Sequence, residues 1–193
     1  MRSEKSKRKI LRLVLPAVFA ALSIVLGKFL QIPVGDSIRI SFENTSLLMA
    51  GILFGPWVGA ATGAVADLVG SMIMGYTINP VITVGAALIG LVSGFCFRLT
   101  GGRRAFVSLF LCVIPAHVIG SMIVKTLGLA LYFSTPWEIL ALRVPIYLVI
   151  GSVETYIIML LLRSSFFSFY LSSNDANHTG IVSDTDEVPR VDQ

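Results

Sequence analysis

The chain has 193 residues, of which 55% are hydrophobic and 13% charged, and its formal net charge is +4. With a mean hydropathy of +0.84, it carries more apolar surface than one soluble core of this size can hide, which argues against both a soluble enzyme and a disordered protein. The two cysteines stand in apolar runs, so the sequence predicts neither a disulfide framework nor a metal site. The positive charge is concentrated near the N-terminus, which membrane topology explains better than nucleic-acid binding.

The distribution of charge divides the chain into three parts. We predict a basic cytoplasmic arm over residues 1–10, a membrane domain over 11–163 and a polar, disordered cytoplasmic tail over 164–193. Carboxylates are scarce in the middle part, as a bilayer requires. Between residues 10 and 163 they are limited to Asp36, Glu43, Asp67, Glu138 and Glu154.

Apolar runs and Gly/Pro breaks predict an all-α bundle of six transmembrane helices. The predicted helices cover about 11–30, 44–54, 57–74, 81–98, 105–132 and 138–163, with a polar loop at 31–43. Fusing 44–74 across Gly55-Pro56 would leave five helices, and Arg98, Arg103, Arg104 and Arg163 would then lie outside. Because basic residues favour the cytoplasmic side, we prefer six helices, with both termini cytoplasmic in a multi-pass protein of the cell membrane.

Four cations do not fit the cytoplasmic pattern: Lys28, Arg39, Lys125 and Arg143. All four map to the outer half of the predicted bundle, where charges usually face a cavity, a partner or a substrate. They predict a pocket for an anion that enters from outside. Alternatively, Lys28 extends to the interface, Arg39 is a solvated loop residue, and the other two pair with Glu138, Asp67 or Glu154.

The last predicted helix places Arg143, Tyr147 and Glu154 on one face, at i, i+4 and i+11. The two charged ends are separated by about 16 Å along the axis, at 1.5 Å per residue. A long ligand with an anionic end and a donor-rich end could span them. Glu154 is either an acceptor for such a ligand or half of an internal pair.

Aromatic and amide groups add candidates at the outer rim. Tyr76 and Asn79 lie in the loop Gly75–Pro80, which is either a lid or a plain connector. Phe42 and Tyr132 belong to an outer aromatic cluster, which is either an interfacial belt or a stacking surface for a ligand.

Small residues recur at helical spacing and predict close packing of helices. Gly55, Gly59 and Gly63 repeat at i+4, and Asp67 continues their stripe. Ala17 and Ala21 form a second stripe, which either packs internally or docks another membrane protein.

The sequence lacks several common nucleotide-binding and catalytic motifs. It has no P-loop, no H-E-x-x-H and no G-x-S-x-G, and we expect His117, alone in its helix, to be structural. We therefore expect no cofactor and no catalytic residue.

The residues Ile38-Arg39-Ile40-Ser41-Phe42, followed by Gly51, Gly55-Pro56, Gly59, Gly63, Asp67 and Gly70, resemble the folate-type substrate-binding subunits (S components) of energy-coupling factor vitamin transporters. The segment Thr83–Gly94, and the Tyr132–Pro136 region followed by Arg143, are similar too, so the resemblance covers about 11–163. The loop Gly-Tyr-Thr-Ile-Asn-Pro departs from the family's usual Pro-Gly-Phe-Thr-like sequence.

The resemblance implies a binding subunit that captures a vitamin from outside and docks on a transmembrane coupling subunit and two cytoplasmic ATPases. The Ala17-x-x-x-Ala21 stripe matches the family's docking motif. Folate is the implied ligand, with its carboxylates on the cations, its benzoyl ring on aromatics and its pterin on a carboxylate or amide. The alternatives are another vitamin such as pantothenate on the same scaffold, and an integral-membrane lipid enzyme.

Overall fold

The computed structural model describes residues 2–34, 38–102, 105–133 and 136–164, with side chains described outside 2–12, 32–34, 38–40, 133 and 139. Its helices are α1 (Arg2–Ile24), α2 (Glu43–Phe54), α3 (Pro56–Met74), α4 (Pro80–Leu99), α5 (Phe106–Ala116), α6 (Lys125–Phe133), α7 (Trp137–Ala141) and α8 (Arg143–Arg163). Two π-helical segments, Val25–Phe29 and His117–Val124, extend α1 and join α5 to α6.

The helical architecture confirms the predicted all-α class, and six helices fit it. Within the described ranges, four helices are long and apolar enough to cross a membrane: Pro56–Met74, Pro80–Leu99, Phe106–Tyr132 and Arg143–Arg163. The apolar part of the first helix, Leu13–Phe29, is shorter. The helix predicted at 138–163 is divided, because the short α7 ends before α8 begins at Arg143. The orientation of the termini stays a prediction.

The segment 31–43, predicted as a loop, contains a small antiparallel hairpin. Strands β1 (Ile32–Val34) and β2 (Ile38–Ile40) pair with Pro33 opposite Arg39. Their isoleucines and valine are β-branched, which favours extended backbone over helix. Residues 35–37, including Asp36, lie outside the described ranges. We call the end of the bundle that carries these strands the hairpin end.

Helix α2 lies at the centre of the bundle, although it is only 12 residues long. Residues 44–53 are all buried, which is the pattern of a helix that neighbours surround on every side. The predicted break follows it directly. Gly55 has φ +92°, a conformation that an L side chain rarely adopts, and Pro56 begins α3, where a missing backbone N–H costs nothing.

The predicted glycine stripe packs α3 against α2 and α4. A Cβ atom added to Gly59 would lie 2.6 Å from both the Cα of Gly51 and the carbonyl oxygen of Gly90. These are backbone atoms, which cannot move aside as a flexible side chain can. This line of close backbone contacts, the glycine seam, therefore serves internal packing. It also brings the side chains at the hairpin ends of α3 and α4 close together.

Candidate functional site

A cavity of about 560 Å³ opens at the hairpin end, within the ~300–1,000 Å³ range of small-molecule sites. It lies between the end of α1, the C-terminal half of α3, the loop that follows α3, and α4 and α6. Its lining residues are Lys28, Asp67, Ser71, Gly75, Tyr76, Thr77, Asn79, Ile82 and Leu129.

The cationic group of the cavity comes from the π-helical end of α1. Lys28 lies in the segment Val25–Phe29, and its Nζ is 5.4 Å from the ring centre of Tyr76. This distance permits a cation–π interaction. Lys28 therefore faces the cavity, whereas extension to the membrane interface was one interpretation of the sequence.

The carboxylate of the cavity comes from α3. Asp67 accepts a 2.6 Å hydrogen bond on Oδ2 from the hydroxyl of Thr83, which lies in the first turn of α4. The bond fixes the orientation of the carboxylate because the glycine seam already holds the two helices together. Asp67 thus continues the glycine stripe at the point where the stripe reaches the cavity.

The loop between α3 and α4 is anchored at both ends. Gly75 ends α3 in the left-handed conformation, with φ 66°. The side chain of Asn79 caps α4 by accepting hydrogen bonds from the backbone N–H groups of Val81 and Ile82, at 3.0 and 3.4 Å. It also donates to the carbonyl oxygen of Gly128 in α6, at 3.2 Å. Asn79 therefore shapes the cavity wall, while Tyr76 remains 42% exposed.

A second, much smaller cavity adjoins the first, with about 10 Å³ of space, which is close to the room that one water molecule needs. Two lysines and two carboxylates line it: Lys28, Lys125, Glu43 and Asp67. Nζ of Lys125 donates to Oε1 of Glu43 at 3.0 Å and to Oδ1 of Asn44 at 3.5 Å. The predicted structural partners of Lys125 are Glu138, Asp67 and Glu154, so its ion pair with Glu43 is a correction.

Glu154 lies in a buried polar network apart from both cavities. Its carboxylate accepts a 2.9 Å hydrogen bond from Thr45 and lies 2.5 Å from Nε2 of His117, whose Nδ1 is 3.4 Å from the hydroxyl of Ser121. Glu154 and His117 are completely buried. Of the two predicted roles for Glu154, the internal pair is therefore the one that this structure contains, and His117 serves as its partner.

Arg143 and Tyr147 flank this network. The guanidinium lies 5.2 Å from the ring centre of Tyr147, and one Nη donates to the Tyr147 hydroxyl at 3.3 Å and to the carbonyl oxygen of Ser121 at 3.4 Å. Its Nε is buried and has no hydrogen-bond partner within the described part of the chain. Arg143 thus retains a buried N–H donor for a further group.

The remaining predicted residues are dispersed. Phe42 directly precedes α2 and is partly buried, Tyr132 is 57% exposed near the end of α6, and Arg39 is described only in its backbone, in β2. Ala17 and Ala21 are exposed on α1. Of the nine predicted binding residues, the larger cavity brings together Tyr76 and Asn79, and the smaller one includes Lys125.

Sequence reasoning missed Asp67, Ser71 and Thr77 as cavity residues and treated Lys28 as a doubtful case. A signal for Asp67 was present, since it continues the glycine spacing of α3 and is the sole carboxylate of that helix. No group of three or more His, Cys, Asp or Glu suited to a metal ion occurs among the residues that the structure describes.

Several solved structures share this fold. A structure of FolT bound with folic acid matches with a TM-score of 0.60 and 23% identity, and covers 85% of this chain and 93% of that chain. The S component for biotin from an ECF-type ABC transporter matches with a TM-score of 0.62 and 18% identity, and covers 85% and 97%. At these identities the likeness concerns the fold. A search of curated sequences gives no significant match.

The sequence itself matches a family model. The model for the S component of ECF-type riboflavin transporters matches residues 7–166, which include every helix from α2 to α8 and most of α1. This agrees with the resemblance of the glycine motif and with the helical bundle. S components bind vitamins and are not enzymes, which removes the lipid-enzyme alternative. The chain belongs to the S-component family of ECF vitamin transporters, as defined by the ECF-type riboflavin transporter model.

Proposed function

We propose that the chain captures folate at the hairpin end, which faces outside, and delivers it into the cell as the substrate-specific subunit of an ATP-driven ECF transporter. One observation carries the choice of ligand. A single cavity presents a cation, an aromatic ring and a carboxylate, from Lys28, Tyr76 and Asp67.

Each of these groups suits one part of folate. The glutamate carboxylates of the ligand would pair with Lys28, and its benzoyl ring would pack on Tyr76. Asp67, whose orientation Thr83 fixes, lies close to Lys28 and would accept a hydrogen bond from the amide N–H that joins the benzoyl group to the glutamate, while the pterin extends beyond Tyr76. Hydrogen bonds to charged groups are the stronger and more directional kind, which suits a scarce vitamin.

The proposed site also retains the residues that the sequence suggested. Arg143, with its spare Nε donor, and Tyr147 would attract or position the anionic part, and Lys125 and Asn79 would support the cavity wall. The other proposed contributors are Arg39, Phe42 and Tyr132, and Glu154 would support the site indirectly, through its buried pair with His117.

Riboflavin is the second candidate, because the matching family model is named for it. Riboflavin has no net charge, so the Lys28 ammonium would have no charged partner on it. Pantothenate carries one carboxylate and no aromatic ring, so it would occupy Lys28 without using Tyr76. The charged pair in the cavity is the reason for placing folate first.

We further propose that uptake requires a transmembrane coupling subunit and two cytoplasmic ATPase subunits. Ala17 and Ala21 are exposed on α1, where small side chains leave room for another helix to approach closely. In this proposal both termini are cytoplasmic and the Ala17/Ala21 stripe is the docking surface.

The test is calorimetric titration of the detergent-purified chain with folate, riboflavin and pantothenate. We expect one tight folate site per chain. Lys28→Gln should weaken folate binding by at least tenfold, about 1.4 kcal/mol, and should not weaken riboflavin binding if any occurs. Tight riboflavin binding without folate binding would overturn the ligand and keep the family. Binding of none of the three would refute the proposed function.

A further inference from the structure

Glu43 was not among the predicted site residues, yet it lies where three helices meet at the hairpin end. Its carboxylate accepts from Lys125 at the start of α6, at 3.0 Å. Its backbone carbonyl accepts from the hydroxyl of Ser23 in α1, at 3.0 Å. Glu43 itself begins α2. One residue therefore connects α1, α2 and α6.

The side chain of Glu43 also packs directly on the π-helical end of α1. A Cβ atom added to Gly27 would overlap the Glu43 carboxylate and would lie 2.8 Å from Glu43 Cβ. Lys28 is the next residue along this turn, and it lines both the larger and the smaller cavity. The position of Lys28 thus depends on the segment that Glu43 contacts.

The charges in this region converge on the same carboxylate. Lys28 and Lys125 line the smaller cavity together with Glu43, and Lys125 forms an ion pair with it at 3.0 Å. Lys125 is 6% exposed, so it needs a nearby negative charge if it is to stay buried. Removing the Glu43 charge would leave Lys125 without its ion-pair partner and would release the attraction that holds Lys28 toward the smaller cavity.

We infer that Glu43 is a positioning residue for ligand capture: through its pair with Lys125 and its contact with Gly27, it holds the Lys28 ammonium at the cavity wall. This inference rests on the proposed function, because it assumes that Lys28 meets an anionic ligand. Glu43 itself lines the smaller cavity and is absent from the described lining of the larger one.

A double-mutant cycle separates positioning from general structural damage. We expect Glu43→Gln to weaken folate binding about tenfold, and to have less than a twofold effect in a Lys28→Gln background, because the two changes then act on one interaction. Equal effects in both backgrounds would refute action through Lys28. Glu138→Gln, at an exposed carboxylate of α7, is the matched control and should leave affinity unchanged.

A second measurement needs no ligand. The chain has five lysines, so reductive ¹³C-methylation gives a small set of NMR signals that Lys→Arg variants can assign. The Lys28 signal should be displaced by the ring current of Tyr76, and Glu43→Gln should move it toward the position of an exposed lysine. An unchanged Lys28 signal would overturn the inference even if no vitamin bound. If Glu43→Gln does not fold, the double variant Glu43→Gln with Lys125→Met is used, because it leaves no buried lysine without an ion-pair partner. Its Lys28 signal is measured in the same way.

Discussion

Replacement of Glu154 tests whether this carboxylate is part of the fold or part of the ligand site. Glu154→Ala would leave the Thr45 hydroxyl and the Nε2 atom of His117 without their partner in the buried interior. Each unsatisfied buried group costs ~1–3 kcal/mol. The sum for two groups, about 2–6 kcal/mol, is a large part of the 5–15 kcal/mol by which ordinary domains are stable.

Glu154→Gln should cost much less. The glutamine oxygen can accept from Thr45, and its amide can donate to Nε2 of the neutral His117 tautomer that carries its proton on Nδ1. Thermal unfolding in detergent should therefore rank the wild type first, Glu154→Gln close behind it and Glu154→Ala far below. If Glu154→Gln keeps the wild-type melting temperature but loses folate affinity, the carboxylate contacts the ligand and our assignment of an internal pair is wrong.

Three further predictions concern the site, the docking surface and the packing seam. Arg143→Ala should weaken folate binding at least tenfold in calorimetry, because it removes a guanidinium with a spare buried donor; unchanged affinity would exclude Arg143 from the site. Ala17→Leu with Ala21→Leu should preserve folate binding and abolish uptake in cells that carry the coupling and ATPase subunits, and lost binding with intact assembly would contradict the docking role. Gly59→Leu should prevent stable folding, since its Cβ alone would lie 2.6 Å from backbone atoms of Gly51 and Gly90; a melting temperature equal to that of the wild type would refute the seam.

The helical architecture was predictable because its causes are local. Apolar runs of sufficient length define the spans, and the Gly55-Pro56 pair ends one helix and begins the next through its own backbone preferences. The hairpin was missed because each of its strands has three residues, which is too short for an alternating pattern to show. The π-helical segments that follow α1 and α5 were missed for a related reason, since no spacing in the sequence distinguishes a π-helical turn from an α-helical one.

The site was only partly predictable, because pairing between distant residues depends on how each helix is rotated. The positions of Lys125 and Glu154 indicated charges at membrane depth, but Lys125 pairs with a residue 82 positions away and Glu154 with one 37 positions away. The spacing of Arg143, Tyr147 and Glu154 on one face correctly indicated a polar stripe. The spacing could not show that the Glu154 carboxylate, at one end of that stripe, already has His117 and Thr45 as hydrogen-bond partners.

Glu43 illustrates the physical reason most clearly. The sequence places Glu43 at the boundary between a polar loop and a helix. A carboxylate is common in the first turn of a helix, because the positive end of the helix dipole stabilises it. Since α2 has 12 residues and is buried from Asn44 to Leu53, its first residue lies among the neighbouring helices, where a carboxylate meets cations from α1 and α6. The short length of α2 thus gives its first residue an ion-pair partner, and the same helix places Thr45 beside Glu154. Helix α2 thus contacts both the cations at the cavity, through Glu43, and the buried network, through Thr45. For this reason we expect the capture of an anionic vitamin to depend on the charge of Glu43.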